Sequence, residues 1–144
     1  MHAAVRGVIE VADDSPGDVC ILDAEALTEH LLVATARHAD AMFAVVEPYF
    51  TSLEAGRRIA MLAKDLGLGD VALIANKVRS DQDAAVIEAF AAEQGLDVAG
   101  LVPYDETFLR AERASRAPLD YDSGAPAVEA IAELAARLLA RARA

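Results

Sequence analysis

A chain of 144 residues that is 55% hydrophobic, rich in alanine and without tryptophan suits one helix-bearing globular domain; it excludes a disordered chain and leaves no room for two cores. Thirteen basic residues against 24 acidic ones give a formal charge of −11, which repels phosphate backbones and anionic lipid headgroups. Neither nucleic acid nor a membrane is therefore expected as a partner.

In chain order, the opening MHAAVRGVIEVADD lacks a basic flank followed by a long apolar run, and no later segment approaches ~18 uninterrupted apolar residues, so a cytoplasmic location is expected. The first predicted strand is residues 19–22, inside DVCILDAEALTEHL, an apolar run closed by Asp23. It holds Cys20, the single cysteine, which permits no disulfide or cysteine metal cluster within one chain and reads as a small buried core residue. A helix follows near Thr28, with Glu25 and Glu29 placed to favour its N-terminus or to polarise a water. The second strand is residues 42–46, followed by a helix with a capping-box pattern, TSLE, at 51–54, apolar residues Leu53, Ile59, Leu62, Ala63 and Leu66, and Gly67 at its end.

The third strand, 71–75, leads to a helix opened by SDQD at 80–83, carried by Val86, Ile87 and Phe90 and closed by Gly95. A fourth strand at 98–102 precedes a helix near 106–113, a looser stretch SRAPLDYDSGAP, and a final helix over about 127–141 with Val128, Ile131, Ala135 and Leu138 on one face. That face reads as core packing, with Arg137, Arg141 and Arg143 complementing the helix dipole; a membrane anchor is the weaker alternative. Strand and helix alternate, and LAKDLGLGDVALIANKV and FAAEQGLDVAGLVPYDE repeat one αβ form. The pattern predicts a three-layer α/β fold with a mainly parallel sheet of about four strands flanked by helices, whose ligands bind at the carboxyl ends of the strands.

The groups just after the strands are Asp23 and Glu25, Glu47 and Pro48, Asn76 and Lys77, and Pro103, Tyr104 and Asp105. An Asp at a strand end can accept from a water on Mg²⁺, or can simply cap a helix. The carboxamide of Asn76 can donate to and accept from a purine edge, and Lys77 can lay its stem across the ring; the alternative for Asn76 is a loop residue bonded to its own backbone. A guanine reader of the NKxD kind needs a carboxylate where Arg79 stands, which turns the expectation toward adenine. His2, His30 and His38 are too scattered for a metal site. A receiver domain shares the residue types but not the spacing, because only a few residues separate Asp13-Asp14 from Asp23.

Taken together, HAAVRG, DVCILDAEALTEHL, ATARHAD, VVEPYFTSLEAGRRIAMLAKDLGL, ANKVRSD and GLVPYDETFLRAERASRAPLD resemble, in order and spacing, the carboxyl-terminal part of the MinD/ParA-type deviant-Walker ATPases. The CooC-like branch, which assists nickel insertion into carbon monoxide dehydrogenase, is the most similar. The resemblance implies an incomplete P-loop NTPase fold, a single truncated nucleotide-binding domain over residues 1–144, and ATP with Mg²⁺ as ligands. It makes Asp23 the Walker B carboxylate, with Glu25 beside it, Asn76 the adenine contact with Lys77 next to it, and Pro103, Tyr104 and Asp105 the loop that closes over the base. A phosphate loop with its lysines and a CxC metal motif are absent from the sequence, and Leu27 and Ala34 stand where the family usually has glycines.

Three functions follow as expectations. One is a CooC/MinD-like ATP-binding domain that serves metallocentre maturation for a metalloenzyme client without hydrolysing ATP alone. Another is a non-catalytic remnant that binds a partner and regulates it. A small α/β domain with an unrelated ligand at its strand ends is the third. Self-association, or a partner chain that supplies a strand, is expected in either of the first two.

Overall fold

The computed structural model describes residues 19–23 and 39–142. The helix expected near Thr28 lies outside the described residues, as do Glu25, Leu27, Glu29, Ala34 and all three histidines. Three strands form, β1 (Ala41–Val46), β2 (Asp70–Val78) and β3 (Asp97–Pro103), each containing its predicted apolar run. They pair in the order β1-β2-β3, and both pairings are parallel. Helix α1 (Phe50–Asp65) crosses from β1 to β2 and α2 (Asp81–Glu93) from β2 to β3. After β3 come α3 (Glu106–Arg113), the single turn α4 (Pro118–Tyr121) and α5 (Pro126–Ala142). The expected α/β class with helix-flanked parallel strands is what the chain adopts.

Residues 19–22 depart from the expectation. They form no strand; Val19, Ile21 and Leu22 are 56%, 87% and 43% exposed, and Cys20 is exposed as well. A strand persists only when a neighbour takes its N–H and C=O groups and a face is buried. Among the described residues no strand lies beside this run, so the sheet has three strands there and not four.

Two crossovers of the same hand, joining strands in sequential order, place α1 and α2 on one face of the sheet. The core beneath them is one cluster in which Val46, Leu73 and Ile87 are fully buried with Leu53, Ala60 and Ala63 of α1 and Ala91 of α2. A second buried set, Ala72, Val102, Ala127, Val128 and Leu134, lies outside that cluster, and Ala72 alternates with Val71 and Leu73, so α5 forms the opposite layer against β3. Of the face predicted for α5, Val128 is buried and Leu138 half-buried, whereas Ile131 and Ala135 are exposed and Leu134 is buried in their place. Leu134 packs closely on Gly100 of β3, where a Cβ would lie 3.1 Å from Leu134 Cδ1.

The helix ends follow the glycines. Gly67 (φ 91°) and Gly95 (φ 62°) take the left-handed conformation after α1 and α2. At each end two bonds run back into the helix, Leu68 N–H to Ala63 O and Gly67 N–H to Lys64 O, then Leu96 N–H to Ala91 O and Gly95 N–H to Ala92 O. Helix α2 has the predicted cap, in which Ser80 Oγ accepts from Asp83 N–H at 3.2 Å. The expected box at 51–54 does not form: α1 starts earlier, its N-cap Tyr49 has no side-chain cap bond, and Ser52 Oγ accepts from Glu47 N–H at 2.9 Å. The hydroxyl thus fastens the β1–α1 turn and not the helix. Among the described residues no helix is long and apolar enough to cross a membrane.

Candidate functional site

Parallel strands present all their carboxyl ends at one edge, and here that edge is tied together from strand to strand. Leu73 pairs with Val98 but Ile74 with Gly100, which leaves Ala99 as an extra residue on β3. Ala75 pairs with Leu101 but Val78 with Pro103, so Asn76 and Lys77 stand opposite Val102 alone. Two irregularities of opposite sense thus restore the register at the strand ends, and the second turns Asn76 and Lys77 out of the ladder. Lys77 has φ 55°, a left-handed conformation that a lysine rarely adopts, and Asn76 Oδ1 accepts from the Lys77 N–H at 3.0 Å. Asn76 and Lys77 therefore belong to the end of β2 and do not follow it, because the strand resumes pairing at Val78.

Lys77 Nζ donates to Glu47 Oε1 at 2.8 Å, joining the ends of β2 and β1. That hydrogen bond, with the charge of Glu47, holds the Lys77 ammonium above its ordinary pKa. The pair is an exposed interstrand tie at the sheet edge. From β2 to β3 the link is double. The Tyr104 N–H donates to Val78 O at 2.8 Å, and the Arg79 guanidinium lies over the Tyr104 ring with its carbon 3.6 Å from the ring centroid. Asp105 then caps α3, accepting from Thr107 N–H at 2.8 Å, and its other oxygen accepts from Ala127 N–H at 3.3 Å at the start of α5. These bonds, first of all those of Thr107, hold the Asp105 carboxyl below its ordinary pKa.

Asn76, Lys77, Pro103, Tyr104 and Asp105 are thus brought to one edge. Asp23 is exposed in a segment without secondary structure, and Glu25 lies outside the described residues. Among the described residues no group of three or more His, Cys, Asp or Glu side chains could hold a metal ion. An open depression of about 320 Å³ lies elsewhere, along one face of α1 at Phe50, Thr51, Glu54, Ala55 and Arg58. It offers one helix face without a convergent polar set, so the strand ends are the better site. The sequence reading missed the stacking of Arg79, which it noted only as the residue in a carboxylate's place. The signal was a cation at the end of one strand and an aromatic at the end of the next.

No family model matches the chain. It is 39% identical over 108 residues to an uncharacterized ATP-binding protein of Methanocaldococcus jannaschii, covering 75% of this chain and 42% of that protein. It is 32% identical over 113 residues to the carbon monoxide dehydrogenase accessory protein CooC of Rhodospirillum rubrum, covering 78% of this chain and 42% of CooC. The chain thus spans less than half the length of these two relatives. Its fold is that of the MinD cell division protein of Aquifex aeolicus, with a TM-score of 0.79 over 97% of this chain and 61% of MinD at 18% identity. A MinC:MinD complex from the same organism aligns with a TM-score of 0.78 at 18% identity, over 97% of this chain and 60% of that one. With the order of motifs and the parallel βαβαβ core, these matches make the chain a member of the MinD/CooC-type P-loop ATPase family, corresponding to its carboxyl-terminal part.

Proposed function

We propose that this chain binds an adenine nucleotide, ATP, at the carboxyl edge of β2 and β3. The observation that carries the reading is Asn76. Its Oδ1 accepts from the Lys77 N–H, the local backbone bond expected of a loop asparagine, while its Nδ2 has no hydrogen bond among the described residues. The bulge therefore presents an oriented donor, suited to a ring nitrogen acceptor of adenine. Pro103 at the end of β3, Tyr104 and Asp105 form the closing segment, and the Asp105 carboxylate sets its shape by accepting from the Thr107 and Ala127 N–H groups. The relatives named as ATP-binding support the ligand. The resemblance directs Asp23 and Glu25 toward Mg²⁺; Asp23 is exposed and, among the described residues, belongs to no cluster able to hold a metal ion, so no step is assigned to the metal.

The sequence has no glycine-rich phosphate loop with a lysine. Because positioning and charge stabilisation of the phosphates supply nearly all catalysis in phosphoryl transfer, the proposal places hydrolysis beyond this chain acting alone. The resemblance to the CooC-like branch extends the reading to metallocentre maturation, with nickel as cargo and a metalloenzyme as client; the relative CooC, a carbon monoxide dehydrogenase accessory protein by name, supports it. A second reading, a partner-binding module, is favoured by β1. Its outer edge has no strand among the described residues, and Val45 on it is 60% exposed.

Calorimetric titration of the chain with adenosine and with ATP tests the nucleotide reading. Both are expected to bind weakly and to similar extents, and Asn76→Ala is expected to cost on the order of 1 kcal/mol for each. ATP binding that far exceeds adenosine binding and ignores Asn76→Ala would contradict it. In the same preparation no phosphate release above buffer is expected, and turnover that vanishes on Asp23→Ala would overturn that part.

A further inference from the structure

Arg79 and Tyr104 face each other across the gap between β2 and β3, and the proposed function gives this pair no role. The guanidinium carbon is 3.6 Å from the ring centroid, in stacking contact, and Arg79 is an exposed residue. Both groups are fixed at their backbones. The Arg79 N–H donates to Asp83 Oδ2 at 2.9 Å, in the cap of α2, and the Tyr104 N–H donates to Val78 O at 2.8 Å. Asn76, with its free donor, leaves the same strand end three positions before Arg79.

We infer that Arg79 is a base-binding residue of this edge: its guanidinium, backed by the Tyr104 ring, is a flat wall on which the base stacks while Asn76 reads the base edge. The inference rests on the nucleotide reading and deepens it. A guanidinium is planar and weakly hydrated, so it stacks on an aromatic on one face and offers the other face to a second ring. Lysine has the same charge but no plane. The inference also accounts for the sequence at this point. A guanine reader would place a carboxylate at position 79 to accept from the guanine N–H groups; here the position is turned onto the ring and offers no acceptor, so recognition shifts from hydrogen bonding to stacking and guanine loses its partner.

The test uses the full chain with adenosine, guanosine and tripolyphosphate as probes, comparing wild type with Arg79→Lys and Tyr104→Leu, with thermal unfolding to verify that each variant folds. Adenosine is expected to bind more tightly than guanosine. Each substitution is expected to weaken adenosine about tenfold, while tripolyphosphate, which has no ring to stack, is unaffected in Arg79→Lys. In wild type the ring resonances of Tyr104, one of three tyrosines, should shift on adding adenosine and stay in place with tripolyphosphate. Wild-type adenosine affinity in Arg79→Lys would overturn the inference while leaving the nucleotide reading intact. Equal weakening of tripolyphosphate by Tyr104→Leu would overturn it too, marking the pair as phosphate-directed. Absence of any saturable adenosine or ATP binding in wild type would overturn the nucleotide reading itself, and this inference with it.

Discussion

The carboxylate of Asp105 accepts from the amides of Thr107 and Ala127, and so fastens the starts of α3 and α5 to one loop. Its pKa is depressed by those bonds, so the ionised form is the one that stabilises the fold. The stability it contributes is present above the ordinary aspartate value of about 3.9 and is lost as pH falls through its lower folded value. Asp105→Asn keeps an acceptor but loses the charge and turns an amide toward the Ala127 N–H, and is expected to lower stability at neutral pH, a difference that shrinks as pH drops below about 4. Urea unfolding of both proteins at pH 7 and in acid measures it; a gap that does not change with pH would remove the carboxylate from this role. The sequence showed that Asp105 follows a strand and precedes a helix, but the second amide belongs to Ala127, far along the chain, and no local pattern reports it. The left-handed backbone of Lys77 was equally hidden, since glycine or asparagine ordinarily announces that conformation and here asparagine stands one residue earlier.

Elements were legible where their ends carry chemistry of their own. Gly67, Gly95 and Ser80 marked three boundaries correctly because each residue type answers a specific backbone need. The end of α3 was less explicit: Ser115, at φ 52°, fills the left-handed position that glycine fills elsewhere. Inside α1, Gly56 has the opposite meaning. A glycine in a helix interior ordinarily loses to alanine by about 1 kcal/mol, but a Cβ at Gly56 would lie 2.3 Å from Val46 Cγ1. Val46 is fully buried in β1 and cannot move aside. Gly56→Ala is therefore expected to destabilise the chain by about 1 to 3 kcal/mol, as measured by denaturant unfolding. Stabilisation of the kind seen at an exposed helix position would show that α1 can lift from the sheet without loss. Sequence periodicity gave the face of α1 but not this close approach, which depends on where the crossover sets the helix down.

At the scale of the whole molecule, the parallel order could be read from alternation alone, and the missing pairing of residues 19–22 could not, because pairing depends on which strand lies alongside. Among the described residues the sheet has two open edges, β1 and β3; β3 is bounded by Asp97 and Pro103, which leaves β1 and residues 19–22 as the unblocked apolar runs. Residues 19–22 are unpaired and exposed, and β1, whose sequence AMFAVV contains no charge, has a neighbour only on its β2 side. An open edge of this kind recruits a strand from elsewhere unless a charge, a proline or a bulge blocks it, and β1 has none of these. The net charge of −11 opposes close approach of two copies, but screening over about 8 Å at physiological salt leaves backbone pairing at contact little affected. Self-association that strengthens with salt is therefore the expected behaviour, with β1 as its locus. Sedimentation across a concentration series at low and high salt measures it. Replacing Val45, 60% exposed, by lysine adds the missing block at small cost to the core and should return the chain to monomer. A wild-type chain that stays strictly monomeric and unfolds sharply at high concentration would mean that the β1 edge is closed from within the chain, and that no partner is needed to complete the sheet.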